Sequence, residues 1–320
     1  ILMDQSGKIF GKSSVKTGSE CAPHTIIPRL LNLIEGAVLA SGIDRERIIG
    51  MGVGMPGLLD PENGRVIFSP DYHWENVDLL GPIREHYDMH IVLENSNRAL
   101  AMGEKWFGAG QDSDYFICVN LGHGIGSAIV EDGDIYRGSC GSSGEFGHIT
   151  LDRNGPVCDC GSNGCLEALA SGNAIARKAQ ALVVENEASF ILSLADGNVG
   201  AIDAKTVFDA AKAGDKLAKG IVDQAIEYIG IGLASYINLL DPDLIILGGG
   251  VANAGDILLD GIKEVVRQRQ MKHAGRKVRI VVGMRGGDAT AIGAASFILK
   301  SFIESGGYVA TPPARRNRVG

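Results

Sequence analysis

The sequence predicts an α/β protein built as two similar lobes with a central cleft. Three observations carry that expectation. Strand-like and helix-like segments alternate from one end of the chain to the other. A strand–Gly turn–strand unit occurs twice, as ILMDQSGKIFGKS at residues 1–13 and AIVEDGDIYRGS at 128–139. Nothing between the two halves reads as a flexible linker.

Composition bounds the answer. At 320 residues the chain holds two domains of ordinary size with a full core. It is 45% hydrophobic and 21% charged, as globular proteins are. Its 45 glycines are about twice the usual share, which calls for many tight turns and close backbone approaches. No apolar run nears the roughly 18 residues of a membrane span, and no basic–apolar–small leader opens the chain, so no membrane partner is expected. The net charge of −8 argues against a surface that grips nucleic acid. Arg315, Arg316 and Arg318, behind Pro312 and Pro313, read as a solvated tail. Three of the six cysteines crowd into residues 158–165. That spacing suits a metal site in a reducing, cytoplasmic setting better than a disulfide framework.

The elements follow in order. The second hairpin unit has a strand before it, residues 115–121, joined through GHGIG at 122–126; the first has none. A duplicated unit would place another strand and Gly-rich turn upstream of Ile1, so the chain is expected to start inside a domain. An amphipathic helix is predicted over 25–41, and a buried strand over 48–60 running into a Pro-Gly turn. A short helix is predicted over 77–87. The stretch IVLENSNRALAMGE at 91–104 reads as a strand opening into polar residues, then a helix to about Phe107 capped by Asn95 or Ser96. Polar groups at the carboxyl end of a strand are where α/β proteins hold ligands.

In the second half, GCLEALASGNAIARKAQALV is helical with an interruption near Gly172, and AKTVFDAAKAG and residues 218–240 are further helices. A strand in 243–253 feeds a glycine triplet and a helix. The last strand and helix are predicted over 276–283 and 289–302. The expected lobes are residues 1–107, with a last helix over 289–305 packing back on them, and residues 108–288, containing loop 148–165. A tail follows over 306–320.

The strongest chemical signal is GEFGHITLDRNGPVCDCGSNGCLE at 144–167. His148, Cys158, Cys160 and Cys165 offer one imidazole and three thiolates, and Gly155, Gly161 and Gly164 permit tight folding around them. Such a shell is closed and tetrahedral, suited to a structural Zn²⁺; the plain alternative is a set of unligated buried thiols. Glu145 and Glu167 flank the set. Each is by default a solvated charge, and alternatively one of a rigid pair of acceptors for sugar hydroxyls, with His148 using its free ring nitrogen.

The run from Gly144 to Glu167, ending in C-x-C-G-x-x-G-C-x-E, resembles the ROK family of sugar kinases and sugar-responsive repressors. The segments GVGMPGLLD, SPDYHWENVDL, ENSNRALAMGE, LGHGIGSAIV and DLIILGGGVA extend the resemblance over nearly the whole chain. It implies the actin-like, hexokinase-like (ribonuclease H-like) pair of lobes. It also implies that Asn95, Glu145, His148 and Glu167 hold a sugar with help from the Gly57 turn, and that His148 ligates zinc as well.

In the family's kinases an aspartate follows that asparagine and deprotonates the sugar hydroxyl; here the residue is Ser96. A serine hydroxyl is no general base near neutrality, and such a base contributes ~10²–10⁴-fold. Glu94 should face the other side of its strand. The family's first phosphate turn, D-x-G-G-T, would lie upstream of Ile1. In the second turn, with Gly122, Gly124 and Gly126, His123 replaces the usual threonine and reads first as a surface turn histidine. Gly249 and Gly250 keep the adenosine-side loop, though strand-to-helix packing alone can require them.

These departures point to the sugar-binding effector part of a ROK transcriptional regulator without kinase activity. Its DNA contact would come through a helix-turn-helix preceding Ile1, and it would act as a homodimer or homotetramer. The alternative is an ATP-dependent sugar kinase using Mg²⁺, since phosphoryl transfer rests mostly on positioning and charge stabilisation.

Overall fold

The structure is a computed structural model that describes residues 1–184, 189–272 and 278–307, so Arg315, Arg316 and Arg318 lie outside the described residues. Its contacts divide into two compact units, Ile1–Phe107 with the C-terminal segment from Asp288, and Gly108–Gly287.

In the first unit, β1 (Leu2–Met3) and β2 (Ile9–Gly11) pair antiparallel. Helix α1 (Pro23–Ser41) starts two residues earlier than its apolar spacing indicates, because a proline at the first helical position is pre-set for the helix. It stops at Gly42, whose φ of 66° lets its N–H turn back to the Leu39 carbonyl. Strand β3 (Gly50–Met55) lies parallel to β7 (His90–Asn95), in register from Gly50↔His90 to Met55↔Asn95. Between them in sequence, β4 (Leu58–Asp60), β5 (Arg65–Ser69) and β6 (Trp74–Asp78) form an antiparallel sheet, and α2 (Leu80–His86) follows.

Strands β5 and β6 have no counterpart in the sequence reading. Both break the in–out alternation: β5 exposes Ile67 and Phe68 side by side, and β6 buries Trp74 and then exposes the next two residues. The helix expected from residue 77 begins at Leu80 because Val77 and Asp78 still pair with β5. Val53, Val66, Trp74, Leu80, Ile83 and Leu93 form the core. Helix α3 (Ser96–Phe107) leaves directly from the end of β7.

The second unit carries one five-stranded sheet of β8 (Phe116–Leu121), β9 (Ile125–Glu131), β10 (Asp134–Tyr136), β11 (Leu244–Gly248) and β12 (Arg279–Val282), in the order β10-β9-β8-β11-β12. The three sequential strands are antiparallel, whereas β8, β11 and β12 are parallel, as crossover connections demand. Its helices are α4 (Leu166–Ala170), α5 (Gly172–Val183), α6 (Ile191–Leu194), α7 (Ala204–Lys212), α8 (Lys216–Leu240) and α9 (Asp256–Arg269). The break between α4 and α5 has a clear cause. Ser171 is extended and its Oγ accepts the Ala174 N–H, so it caps a new helix. Helix α8 buries Ile221, Ala225, Ile229, Leu233 and Ile237 against the sheet residues Ile117, Val119, Ile245 and Leu247 in one cluster.

The last helix, α10 (Ala289–Glu304), belongs to the first unit. It meets α3 backbone to backbone, because a Cβ on Gly293 would fall 1.6 Å from the Ala99 carbonyl oxygen and only hydrogen fits. Among the described residues no helix is long and apolar enough to cross a membrane.

Candidate functional site

In the second unit, a 3-10 turn at Phe146–His148 delivers the imidazole, and Cys165 stands at the N-cap of α4. Cys158 and Cys160 lie in the loop between. The four ligand atoms fall within 4.8 Å of one another. Cys158 Sγ is 3.7 Å from His148 Nδ1, and the sulfurs of Cys160 and Cys165 are 3.7 Å apart. A tetrahedral ion with metal–sulfur bonds of about 2.3 Å places its ligands roughly 3.5–3.8 Å apart, so the two 3.7 Å pairs already have that spacing, while a separation as wide as 4.8 Å would have to narrow.

Backbone bonds hold the loop in this form. Cys158 N–H donates to Ser162 O at 2.8 Å, Gly161 N–H to Cys158 O at 2.9 Å, and Gly164 N–H to Pro156 O at 2.8 Å. Gly161 and Gly164 have φ of 91° and 66°, and a Cβ on Gly164 would lie 1.5 Å from the Asp152 carbonyl. Burial pushes the Cys158 thiol up to about 12, so a bound cation must displace its proton.

The imidazole divides its two nitrogens. Nδ1 faces the sulfurs, while Nε2 lies 3.9 Å from Glu145 Oε2. Glu145 sits at a bend set by Gly144, whose φ is 90° and whose carbonyl accepts the Ser127 hydroxyl at 2.8 Å. Ser127 also lies 3.3 Å from the Tyr236 hydroxyl, and the Tyr236 ring packs on the buried Phe146 at 4.4 Å. Burial raises the Tyr236 pKa and keeps the phenol neutral. Glu167, in the first turn of α4, takes the Ile125 N–H on Oε2 at 2.7 Å.

Gly122 and Gly124 form the turn between β8 and β9, and Gly126, expected in that turn, already lies in β9. Gly122 N–H donates to Gly124 O at 3.0 Å, Gly126 opposes Asn120 in the ladder, and His123 is exposed. Gly249, with φ of 87°, leaves no room for a side chain: a Cβ would meet Asn120 Oδ1 and Leu121 O at 2.4 Å each. Packing of β11 beside β8 therefore demands this glycine by itself. Gly250 has open space around it.

In the first unit, Asn95 closes β7 and donates Nδ2–H to the Gly57 carbonyl at 3.1 Å, while its Oδ1 accepts the Asn97 N–H and caps α3. Gly57 has φ of 110° and its Cβ position lies 2.3 Å from Phe68 O, so the turn is specific to glycine. Ser96 is the first residue of α3 and half-buried. Glu94, only 3% exposed, is turned inward: its Oε1 accepts the Asn95 N–H at 2.8 Å and lies 3.6 Å from the Arg98 guanidinium.

A sequence model of the ROK family matches residues 1–301. The chain belongs to the ROK family. It is 36% identical to a glucokinase of Thermotoga maritima, over 93% of this chain and 92% of that protein. It is 31% identical to a xylose repressor of Caldicellulosiruptor bescii, over 91% of this chain and 72% of the repressor. The crystal structure of a ROK family glucokinase from Streptomyces griseus in complex with glucose and AMPPNP superimposes with a TM-score of 0.84 at 32% identity, covering 93% of this chain and 94% of that one. This ROK chain thus has the hexokinase-like fold of the family, and its relatives include both sugar kinases and a sugar-named repressor.

Within this ROK member, Ser127, Tyr236 and Arg98 support the candidate residues without being among those the sequence singles out. Ser127 carried one weak signal, a hydroxyl inside an otherwise apolar strand run. Arg98 stands four residues after Glu94, a spacing that the strand-to-helix junction disguises, whereas Tyr236 reaches Ser127 only through tertiary packing.

Proposed function

We propose that this chain is the sugar-binding effector part of a ROK-family regulator and does not transfer phosphate. The observation that carries this reading is the start of α3. Ser96 occupies the position at which the family's kinases place their catalytic aspartate. The neighbouring carboxylate, Glu94, is already committed to Arg98 and to the Asn95 N–H. The proposed sugar-contacting groups are Gly57, Asn95 and Ser96 in the first unit and, taken by themselves, Glu145, His148 and Glu167 in the second. A structural Zn²⁺ would be held by His148 Nδ1 and the three thiolates; the donor set, three sulfurs and one imidazole, favours that ion. With its net charge of −8 this chain is the effector part, DNA contact belonging to a helix-turn-helix, and the working form is a homodimer or homotetramer.

The second reading is an ATP-dependent sugar kinase, favoured by 36% identity to a glucokinase across 93% of the chain. Calorimetric titration with a panel of hexoses, pentoses and N-acetylated sugars, repeated with Mg-ATP present, separates the two. The regulator reading expects one sugar to bind, Asn95→Ala or Glu145→Gln to weaken it at least about tenfold, and no ADP to form. No binding across the panel would sink the sugar reading, and ADP formation at an ordinary enzymatic rate would install the kinase.

A further inference from the structure

Glu167 has a partner that sugar binding does not explain. The Ile125 N–H it accepts lies at the exit of the Gly122–Gly124 turn. Ile125 is 3% exposed and gripped on both sides, since its carbonyl oxygen lies 2.0 Å from where a Cβ on Gly147 would fall. Gly147 directly precedes His148. Gly124 is confined in the same way, its Cβ position lying 2.3 Å from Glu167 Oε2. On its other side the turn is fixed by α5, whose Gly172 and Asn173 N–H groups donate to the Gly122 and His123 carbonyls at 2.9 and 3.1 Å.

We infer that Glu167 is a positioning residue that fastens this turn to the His148–Cys158–Cys160–Cys165 cluster, so that occupancy of the metal site sets the order of the turn. The inference rests on the metal reading proposed above. Glu167 stands two residues after Cys165, in the first turn of α4, so its carboxylate goes where the ligand set places that helix start. A carboxylate on a buried amide makes a charge-assisted bond, and its loss leaves the N–H without an acceptor. Among the described residues only Oε2 is used, and Oε1 is left for a ligand, so holding the turn and holding a sugar are compatible.

Hydrogen exchange of the full chain, read on peptides covering residues 120–128 and 156–165 with metal content measured in parallel, tests this. Stripping the metal from wild type should speed exchange in both segments, about tenfold or more in the turn. Glu167→Ala should keep its metal and a protected 156–165 loop while its turn exchanges fast already, with stripping adding little there. Glu167→Gln, whose side-chain carbonyl can still accept the Ile125 N–H, should restore most of the protection. An unchanged turn after verified metal loss overturns the inference, as does a turn that loosens on stripping as much in Glu167→Ala as in wild type. If Glu167→Ala does not fold, the stripped-versus-loaded comparison in wild type and in Glu167→Gln decides. A protein that holds no metal at all refutes the metal reading instead.

Discussion

Ser96, Gly57 and Asn95 meet where β7 ends, and each illustrates a different kind of residue-level constraint. Ser96 was legible from sequence because the motif around it fixes its place; what the structure adds is that Glu94 is turned inward and held. Gly57 was legible only as part of a Pro-Gly turn. Its φ of 110° and the 2.3 Å approach to Phe68 O make it irreplaceable. Gly57→Ala should therefore lower the unfolding free energy by about 2–3 kcal/mol in urea titration and weaken sugar binding with it. An unchanged midpoint would show that the turn adapts and that its geometry is not specific to glycine. The support that Ser127 and Tyr236 give Glu145 was not legible in the sequence, because the partners of Ser127 lie 17 and 109 residues away from it.

Helices and strands with regular periodicity were legible to within a few residues, and those without it were not. Helices α3, α8 and α10 carry long apolar stripes, and their predicted spans match. Strands β5 and β6 and the single-turn α6 were missed because burial alternates in neither strand and four residues are too few for a helical period. Caps decide where several helices begin. Asp215, 3% exposed, accepts the Ala218 and Phe190 N–H groups and the Ser189 hydroxyl at 2.7–2.8 Å, tying the start of α8 to the segment before α6. Burial alone would raise its pKa, but these donors outweigh it and hold the carboxyl below the usual carboxylate range. Its folded pKa being depressed, its stabilisation is present above the unfolded value near ~3.9 and is lost as pH falls through the folded one. Asp215→Ala should cost about 2–3 kcal/mol at neutral pH, and Asp215→Asn should flatten the acid side of the stability profile. A variant with the wild-type profile would remove Asp215 from the account.

Over the whole molecule, the α/β class and the doubled hairpin were readable from the alternation of elements, and the His148–Cys158–Cys160–Cys165 quartet from cysteine spacing. In the first unit the described strands fall into three small sheets, and Gly52 and Gly293 bring α10 into direct backbone contact with β3 and α3. The metal cluster gives a pH prediction. The Cys158 thiol, pushed up to about 12 by burial, is protonated at neutral pH without a cation, so binding releases protons. Affinity should fall as pH is lowered from 8 to 6, by roughly tenfold per pH unit for each proton released, as competition with a chromophoric chelator would show. Chelation should lower the unfolding temperature, and a pH-independent affinity would mean that the thiols are not the ligands.

In the proposed regulator the sugar-binding groups are kept while the base is missing. ADP release by wild type and by Ser96→Asp, with Mg-ATP and the sugar that binds, tests this most directly. Wild type should be silent and the variant should gain turnover, by ~10²–10⁴-fold if the aspartate works as a positioned base. Ordinary turnover by wild type, with no gain on substitution, would contradict the regulator reading.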